Sequence, residues 1–503
     1  MKLSWLLLIL LSAAPLAKKK AIRHQPEPLV PFEVQTRAAA PPVPIQLAPP
    51  ESYPPELTLE PITADEAARL ALNHQGNVTI AAHQLEAQKG VTTVSRAPYF
   101  PNVSTSMTYL DNLVNNRTSG SNQVSATVTA ANSSTSVNAS GDNLSSSSSG
   151  GIIGSGGVSV SNPVTVSASL RQLIWDFDRT RFQVAQSKEL ERAAAANYTQ
   201  VQYDTIYNVK NSYYNWVQAD RLLAVYRGNM EAQRQHLAAA EGRFRQGVAL
   251  PSDVTLAQTN VSQAVLNVTS ADVNVTIART SLANQMGIDP RIPLRPSDSH
   301  ERTVQVADSQ QLYNVAIDKR PELAFAEAAI RANVFAVEAA RRSNAPSISA
   351  NIQYVAFGNS FYPTQNTLNF LLTLSWNPFD GGVTAGRVKQ AEESLIISRA
   401  QLENYRNQVI MEVSQAYANL RGAEQRVTTA ELQVASAQAT VNIAAARYRA
   451  GLGTFLELVD AQQAALQSAV NRVNAQLNLE QTRAALNHAL GVPLVETKPP
   501  PSD

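Results

Sequence analysis

Residues 243–247 read Arg-Phe-Arg-Gln-Gly, and residues 447–451 read Arg-Tyr-Arg-Ala-Gly. The second segment follows the first at an offset of 204, and the same offset relates Tyr213 to Tyr417 with no insertion between them. A repeat of this length means that one structural unit occurs twice in the chain. The sequence therefore predicts an internally duplicated protein in which these two segments hold equivalent positions.

The residues before each segment predict an unusually long helix. From about Asp178 to Gln246 the chain has no proline and few glycines, so a helix there would be roughly 100 Å long at ~1.5 Å per residue. A turn at 247–251 follows. The second helix of this hairpin is predicted to have Ser252 as its N-cap and to end at Gly287.

The second copy repeats this hairpin. Its turn is predicted at 451–453, with Thr454 as the N-cap of the following helix. Counting outward from the two hairpins, we expect the first copy to span residues 62–290 and the second to span 291–494. Residues 495–503 then form a C-terminal tail.

Four segments alternate between apolar and small hydroxylated residues, which is the period of a β-strand. They lie at about 102–112, 157–175, 347–357 and 366–377. Residues 113–156 are rich in serine, asparagine and glycine and predict a flexible loop.

Strands with one apolar face and one polar face suit a membrane β-barrel with lipid outside and water inside. Four strands cannot close a barrel, and the smallest barrels have about eight. Two copies would supply eight strands and three copies would supply twelve, so this interpretation requires an oligomer. Alternation alone also fits a layer of β-structure exposed to water with an aromatic core.

The first residues predict export from the cell. Residues 1–17 contain an apolar run that ends in small residues, as a secretory signal peptide does. Three lysines at 18–20 leave an uncleaved anchor as the alternative. Residues 18–61 are rich in proline, which predicts an extended linker because proline has no backbone N–H to donate.

Composition excludes several classes of function. The 503 residues carry a net charge of +1, with 16% charged residues and no cysteine. Nucleic acid is therefore not an expected partner, and a thiolate metal site, a cysteine nucleophile and a lipidated N-terminal cysteine are excluded. The six histidines are scattered singly. We expect no metal, no cofactor and no catalytic residues, so the chain is not predicted to be an enzyme.

The order of helix, strand pair and long helical hairpin, found twice with an arginine-rich segment before each turn, resembles the TolC family of outer-membrane efflux proteins. The resemblance covers about residues 62–494. It implies a mainly α fold with membrane β-structure, in which a homotrimer forms a periplasmic α-barrel of helical hairpins and a twelve-stranded β-barrel in outer-membrane lipid.

By the same resemblance, the protein would be the exit duct of a tripartite efflux or type I secretion system. It would conduct substrates passively from an inner-membrane pump of RND or ABC type, through a periplasmic adaptor (membrane fusion) protein, to the outside. The alternative function is a periplasmic coiled-coil scaffold, or a surface structural protein, that transports nothing.

The resemblance also implies a gate at the turns, where acidic rings and tyrosine-centred hydrogen bonds narrow the tunnel. Tyr448 resembles the gate tyrosine of the family, and Asp253 is expected close to it. Glu457 and Asp460 lie one helical turn apart on one face, so a trimer would bring six carboxylates to the axis. Gly453 stands where the family pattern leads us to expect an arginine. The alternative role of Asp253 and Glu457 is only to stabilise a helix N-terminus, by ~0.3 to 1 kcal/mol each.

The residues flanking both turns are candidates for docking the adaptor, as the resemblance implies. They are Arg243, Arg245, Gly247, Arg447, Arg449 and Gly451. Arginines at a helix C-terminus also interact favourably with the helix dipole, which is the alternative explanation for the four arginines.

Overall fold

The structure is a computed structural model that describes residues 61–109, 164–247, 249–297, 301, 309–358, 365–492 and 495. The predicted signal peptide, all but the last residue of the linker, the loop at 113–156 and most of the tail lie outside these residues. Everything below concerns the described part of the chain.

The described elements occur in the same order twice. The first series is α1 (Ala64–His74), α2 (Gly76–Arg96), a short 3-10 turn (Ala97–Tyr99), β1 (Asn102–Tyr109), β2 (Val164–Trp175), α3 (Arg179–Arg245) and α4 (Pro251–Met286). The second is α5 (Ser309–Lys319), α6 (Pro321–Arg341), β3 (Ser347–Gly358), β4 (Gln365–Ser375), α7 (Val383–Arg449) and α8 (Phe455–Ala489). Helices α3 and α7 each have 67 residues. The predicted internal duplication is confirmed.

The two hairpins begin their second helices differently. Thr454 caps α8 as predicted, because its hydroxyl accepts a hydrogen bond from the Glu457 N–H at 3.2 Å. The prediction for α4 is wrong: its N-cap is Leu250, which has no side-chain capping bond, and Ser252 lies inside the first turn. Pro251 is the first helical residue, and proline suits this position because its missing N–H would have no partner there.

The long helices form an open layer. Near the sheet, α2 packs on α3, α3 on α6 and α6 on α7, whereas farther from the sheet α4 packs on α3, α3 on α8 and α8 on α7. No comparable contact joins α4 to α7 within the described residues. One edge of the layer is therefore formed by α2 and α4, and the other edge by α7.

Helices α1 and α5 and residues 287–297 pack against the middle of the long helices, and we call this whole region, long-helix residues included, the collar. Tyr213 and Trp216 of α3 are buried there against Leu282 and Met286 of α4. The Tyr213 hydroxyl donates to the Ile62 carbonyl at 2.9 Å, which ties the chain preceding α1 to α3. The collar contains most of the large buried side chains of the described chain.

The collar also buries charged groups. The Lys210 ammonium lies 2.7 Å from Glu301 and 2.8 Å from Asp65, and the Lys210 and Glu301 side chains are each 3% exposed. Tyr214 donates a hydrogen bond to Glu301 at 3.1 Å, and Asn487 donates another at 3.2 Å. Because Glu301 is both paired and hydrogen-bonded, its burial is compensated.

The four strands form one antiparallel sheet in the order β1-β2-β3-β4. On one face, the Ser104 hydroxyl lies 2.7 Å from that of Ser169 across β1 and β2. The opposite face carries the large apolar side chains of β4, which are exposed in the single chain: Leu368, Phe370, Leu372 and Leu374. The predicted division into a polar and an apolar face is therefore present, and β1 and β4 are the two edges.

None of the helices in the described ranges combines the length and the apolar character that crossing a membrane requires.

Candidate functional site: the tip where the two turns meet

The α3–α4 turn and the α7–α8 turn lie side by side. Ala240 of α3 and Ala257 of α4 pack with Tyr448 of α7 and with Phe455 and Leu458 of α8 in one buried cluster. We call this end of the molecule the tip. The structure therefore brings together two segments that lie about 200 residues apart in the sequence.

Gly247 and Gly451 shape the two turns. Their φ angles are +75° and +72°, in the left-handed region that favours glycine. After α7, Gly451 donates to the Tyr448 carbonyl at 3.1 Å and Leu452 donates to the Arg447 carbonyl at 2.9 Å. This paired pattern closes the end of a helix. The geometry thus gives both glycines a structural role, beside the docking role predicted for them.

Arg243 connects the first copy to the second. Its guanidinium carbon lies 4.4 Å from the centre of the Tyr448 ring, in a cation–π geometry. One guanidinium nitrogen also donates to the Tyr448 backbone carbonyl at 2.7 Å. The ring centre of Tyr448 lies 5.5 Å from that of Phe455. Tyr448 is therefore held between Arg243 of the first hairpin and the ring of Phe455 in the second hairpin, to which Tyr448 itself belongs.

The Tyr448 hydroxyl is buried and has no hydrogen-bond partner among the described residues. Burial raises the pKa of this hydroxyl; the Arg243 charge opposes that shift and the Asp253 charge adds to it. Asp253 is close enough to act electrostatically, but no hydrogen bond joins the two residues within one chain. Within one chain, Tyr448 is held by contacts to its ring and to its backbone carbonyl, and the hydrogen-bonded gate tyrosine that the family resemblance implied stays a prediction.

Glu457 and Arg447 face each other across the second turn. A guanidinium nitrogen of Arg447 lies 3.7 Å from a carboxylate oxygen of Glu457. A Cβ added at Gly453 would lie 3.1 Å from both the Arg447 Cβ and that oxygen. Glycine therefore allows this close approach, and Arg447 places a positive charge beside Glu457. Asp460 lies exposed one helical turn farther along α8.

A polar chain that sequence reasoning missed crosses from α3 to α8 near the tip. His236 is hydrogen-bonded to Gln462, whose amide oxygen also accepts from Gln233 at 3.3 Å. Burial, and then the positive charge of Arg449, lowers the pKa of His236. In the sequence, Gln462 repeats Gln258 at the same offset of 204, which marks no function, and a single histidine on a helix carried no signal.

The described residues contain no cluster of three side chains able to hold a metal ion. The tip combines charged, aromatic and amide side chains with apolar ones, a mixture that is suited to binding another protein.

The chain matches the outer membrane efflux protein family over residues 130–288 and 312–492, and it belongs to that family. It is 25% identical to the protein CyaE of Bordetella pertussis over 459 residues, which is 89% of this chain and 88% of CyaE. It is 24% identical to the outer membrane protein TolC of Escherichia coli over 379 residues, which is 67% of this chain and 74% of TolC.

The fold is also found among solved structures. The CmeC outer membrane channel of Campylobacter jejuni superimposes with a TM-score of 0.69 over 86% of each chain, at 16% identity. Both the family and the fold predicted from the sequence are confirmed. The protein is an outer membrane efflux protein whose known relatives include channels.

Proposed function

We propose that three copies of this chain assemble into a passive exit duct through the outer membrane and the periplasm. One observation supports this above all: both layers of the single chain are open. The helical layer has α4 and α7 at its edges, and the sheet has β1 and β4 at its edges. A ring of copies related by rotation would pair each edge with the opposite edge of its neighbour.

The edge helices are suited to such pairing because they expose apolar side chains. On α4 these are Leu256, Val265, Leu266, Val273 and Ile277, and on α7 they include Ile396, Ile397, Ile410, Met411, Leu432 and Ile443. Apolar surface of this extent on two opposite edges is typical of an interface. In the proposed trimer, α4 of one copy packs against α7 of the next.

The sheet needs the same closure. Lipid cannot hydrogen-bond the free N–H and C=O groups of an edge strand, so an open four-stranded sheet is not stable in a bilayer. Three copies with four strands each would close a barrel of twelve strands. The exposed apolar face would then contact lipid, and the serine-rich face would line the lumen.

The tip is the surface that we propose for the periplasmic adaptor. Apolar side chains are exposed at or beside both turns: Phe244, Leu250, Leu452 and Leu456. Arg245, Arg447 and Arg449 are exposed among them. A helical hairpin with apolar and acidic residues would complement this surface. The adaptor would connect the duct to an inner-membrane pump of RND or ABC type, which supplies the energy.

The tip would also act as the gate. In a trimer, Glu457 and Asp460 would supply six carboxylates at the narrow end of the tunnel, where they attract cations and repel anions. In that trimer Asp253 and Tyr448 would lie near this ring, so a movement of the α7–α8 hairpin would change the position of the proposed gate tyrosine.

The first test is the mass of the protein extracted in detergent from outer membranes, measured by light scattering with correction for bound detergent. We expect roughly three times the mass of the mature chain, whose full-length precursor is 54.3 kDa. A soluble periplasmic monomer would contradict the proposal.

A second test places a charge on each face of β4. Phe370→Arg puts an arginine on the apolar face and should cost ~2 to 4 kcal/mol near the bilayer centre, so trimer assembly should fail. Asn369→Arg changes the adjacent residue on the polar face and is the matched control, which should assemble. Equal assembly of the two variants would contradict the barrel.

A further inference from the structure

The four described strands carry only one charged residue, Arg171 of β2. All their other residues are apolar, hydroxylated or amide. The Arg171 side chain is exposed in the single chain. An arginine on a membrane strand is costly on the lipid side and tolerated on the water side, so the face that carries Arg171 decides its role.

The register places Arg171 on the polar face. Residues two apart in a strand share a face, and Arg171 follows Ser167 and Ser169, whose hydroxyls lie 2.8 Å and 2.7 Å from those of Ser106 and Ser104. Directly across from Arg171 lie Asn102 of β1 and Asn351 of β3.

No carboxylate of the described residues forms an ion pair with Arg171. The acidic residues that follow β2 are already engaged. Asp176 accepts a hydrogen bond from the Thr180 N–H at 2.8 Å, and Asp178 lies 3.8 Å from Arg181. Within the described residues, the positive charge of Arg171 is therefore not neutralised by a carboxylate.

We propose that Arg171 forms a ring of three positive charges in the lumen of the membrane section, which attracts organic anions bearing carboxylate or phosphate groups. This inference rests on the trimeric duct proposed above. Twelve strands ~4.8 Å apart and tilted by ~40° give a barrel about 25 Å across. Extended arginine side chains from three sides therefore bring positive charge well into the lumen.

The charge of this ring is opposite to that of the carboxylates at the tip. A solute leaving the cell would pass the acidic ring first and the arginine ring second. In the membrane section no other charged side chain of the described strands competes with Arg171. We therefore expect the contribution of the membrane section to the permeability of anions to depend mainly on this residue.

The test is ion selectivity in planar bilayers, measured as the reversal potential across a tenfold gradient of potassium chloride. At about 10 mM salt the screening length is about 30 Å and exceeds the lumen radius, whereas at 1 M it is about 3 Å. In dilute salt, Arg171→Gln should lower the chloride-to-potassium permeability ratio severalfold, and Arg171→Lys should keep it. In concentrated salt the difference should disappear.

The absence of cysteine from the chain allows a second test on assembled trimers. In Arg171→Cys, a methanethiosulfonate reagent with a trimethylammonium group should restore the original selectivity. The same reagent with a sulfonate group should make the duct more cation-selective than the unlabelled variant.

The outcomes separate the two proposals. Trimers of normal conductance whose selectivity is unchanged by Arg171→Gln, or by labelling of Arg171→Cys, would overturn the arginine ring and leave the duct intact. A wild-type protein that forms neither trimers nor channels would overturn the duct, and the ring with it.

Discussion

The collar and the tip lie on the same long helices but are stabilised by different interactions. The collar buries Tyr213 and Trp216 and encloses the Lys210–Glu301 pair. The tip has a small cluster around Tyr448 and Phe455, and the Arg447–Glu457 pair lies at its surface. The collar is therefore built to stay in place, whereas the tip can rearrange at a lower cost in free energy.

The two ion pairs show the difference most directly. The collar pair has both side chains 3% exposed, whereas Arg447 and Glu457 are 55% and 47% exposed. Removing one partner of a buried pair typically costs ~3 to 5 kcal/mol, because the other charge remains buried without compensation. An exposed pair contributes ~0 to 1 kcal/mol.

The largest effect is expected from Lys210→Met. This variant leaves Glu301 buried without its ammonium partner, so the free energy of unfolding should fall by ~3 to 5 kcal/mol. Arg447→Met removes a cation paired with a glutamate at the tip. This variant should change the free energy of unfolding by less than ~1 kcal/mol. Thermal unfolding of both purified variants measures the contrast, and equal losses would contradict the proposed difference between collar and tip.

Tyr448→Ala should have the next largest effect, and it should be confined to the tip. It removes the ring that contacts Arg243 and Phe455, at a cost of up to about 3 kcal/mol in local stability. Hydrogen exchange at the two turns should become faster and single-channel conductance should rise.

Tyr448→Phe is the control for that prediction. Because the Tyr448 hydroxyl has no partner among the described residues, its removal should leave conductance unchanged. If the conductance of Tyr448→Phe rises as much as that of Tyr448→Ala, the hydroxyl is hydrogen-bonded to another copy in the trimer, and the prediction is contradicted.

Neutralising the tip carboxylates should change selectivity more than stability. Glu457→Gln combined with Asp460→Asn removes six charges from a trimer and should reduce cation selectivity in bilayer recordings. Stability should change by only about 0.5 kcal/mol, since both residues are exposed. The exchange Glu457→Asp with Asp460→Glu keeps the charge and should keep the selectivity. Unchanged selectivity in the neutral variant would place the filter elsewhere.

The smallest effect concerns pH. Burial, aided by the charge of Arg449, lowers the pKa of His236 below its usual 6.5. As pH falls below 6.5, His236 binds a proton more readily in the unfolded state than in the folded tip. The stability of the tip therefore decreases. The contact of His236 with Gln462 is to an uncharged amide and cannot offset the charge of the added proton. Hydrogen exchange near 233–236 should therefore be faster at about pH 5.5 than at about pH 7.5.

His236→Gln keeps a polar side chain but cannot titrate in this range. Its exchange rates at the tip should lose this additional pH dependence. A variant whose pH response equals that of the wild-type protein would assign the effect to another group.

Much of the fold was predictable because it depends on local rules. The scarcity of proline and glycine predicted the long helices, and Gly287 ended the first hairpin where expected, with a φ angle of +72°. The error at Ser252 has a local cause as well. A proline immediately before it occupies the first helical position, and this moves the cap to Leu250.

The candidate site was only partly predictable. The repeat identified the two turns, but it did not show that Arg243 binds the face of Tyr448 or that Arg447 pairs with Glu457 beside Gly453. Nor did it identify His236 and Gln462. These contacts join different helices, and helical periodicity predicts which residues share a face without predicting which face meets which.

The sequence by itself determined the duplication, the lengths of the helices, the two faces of each strand and the glycines of the turns. These features follow from backbone conformation and from the periods of helix and strand, which operate over a few residues. Only the tertiary structure decided that Lys210 pairs with Glu301 and that Arg243 joins Tyr448. Such pairs depend on how two long helices are rotated and aligned against each other, and that alignment is set by packing along their whole length.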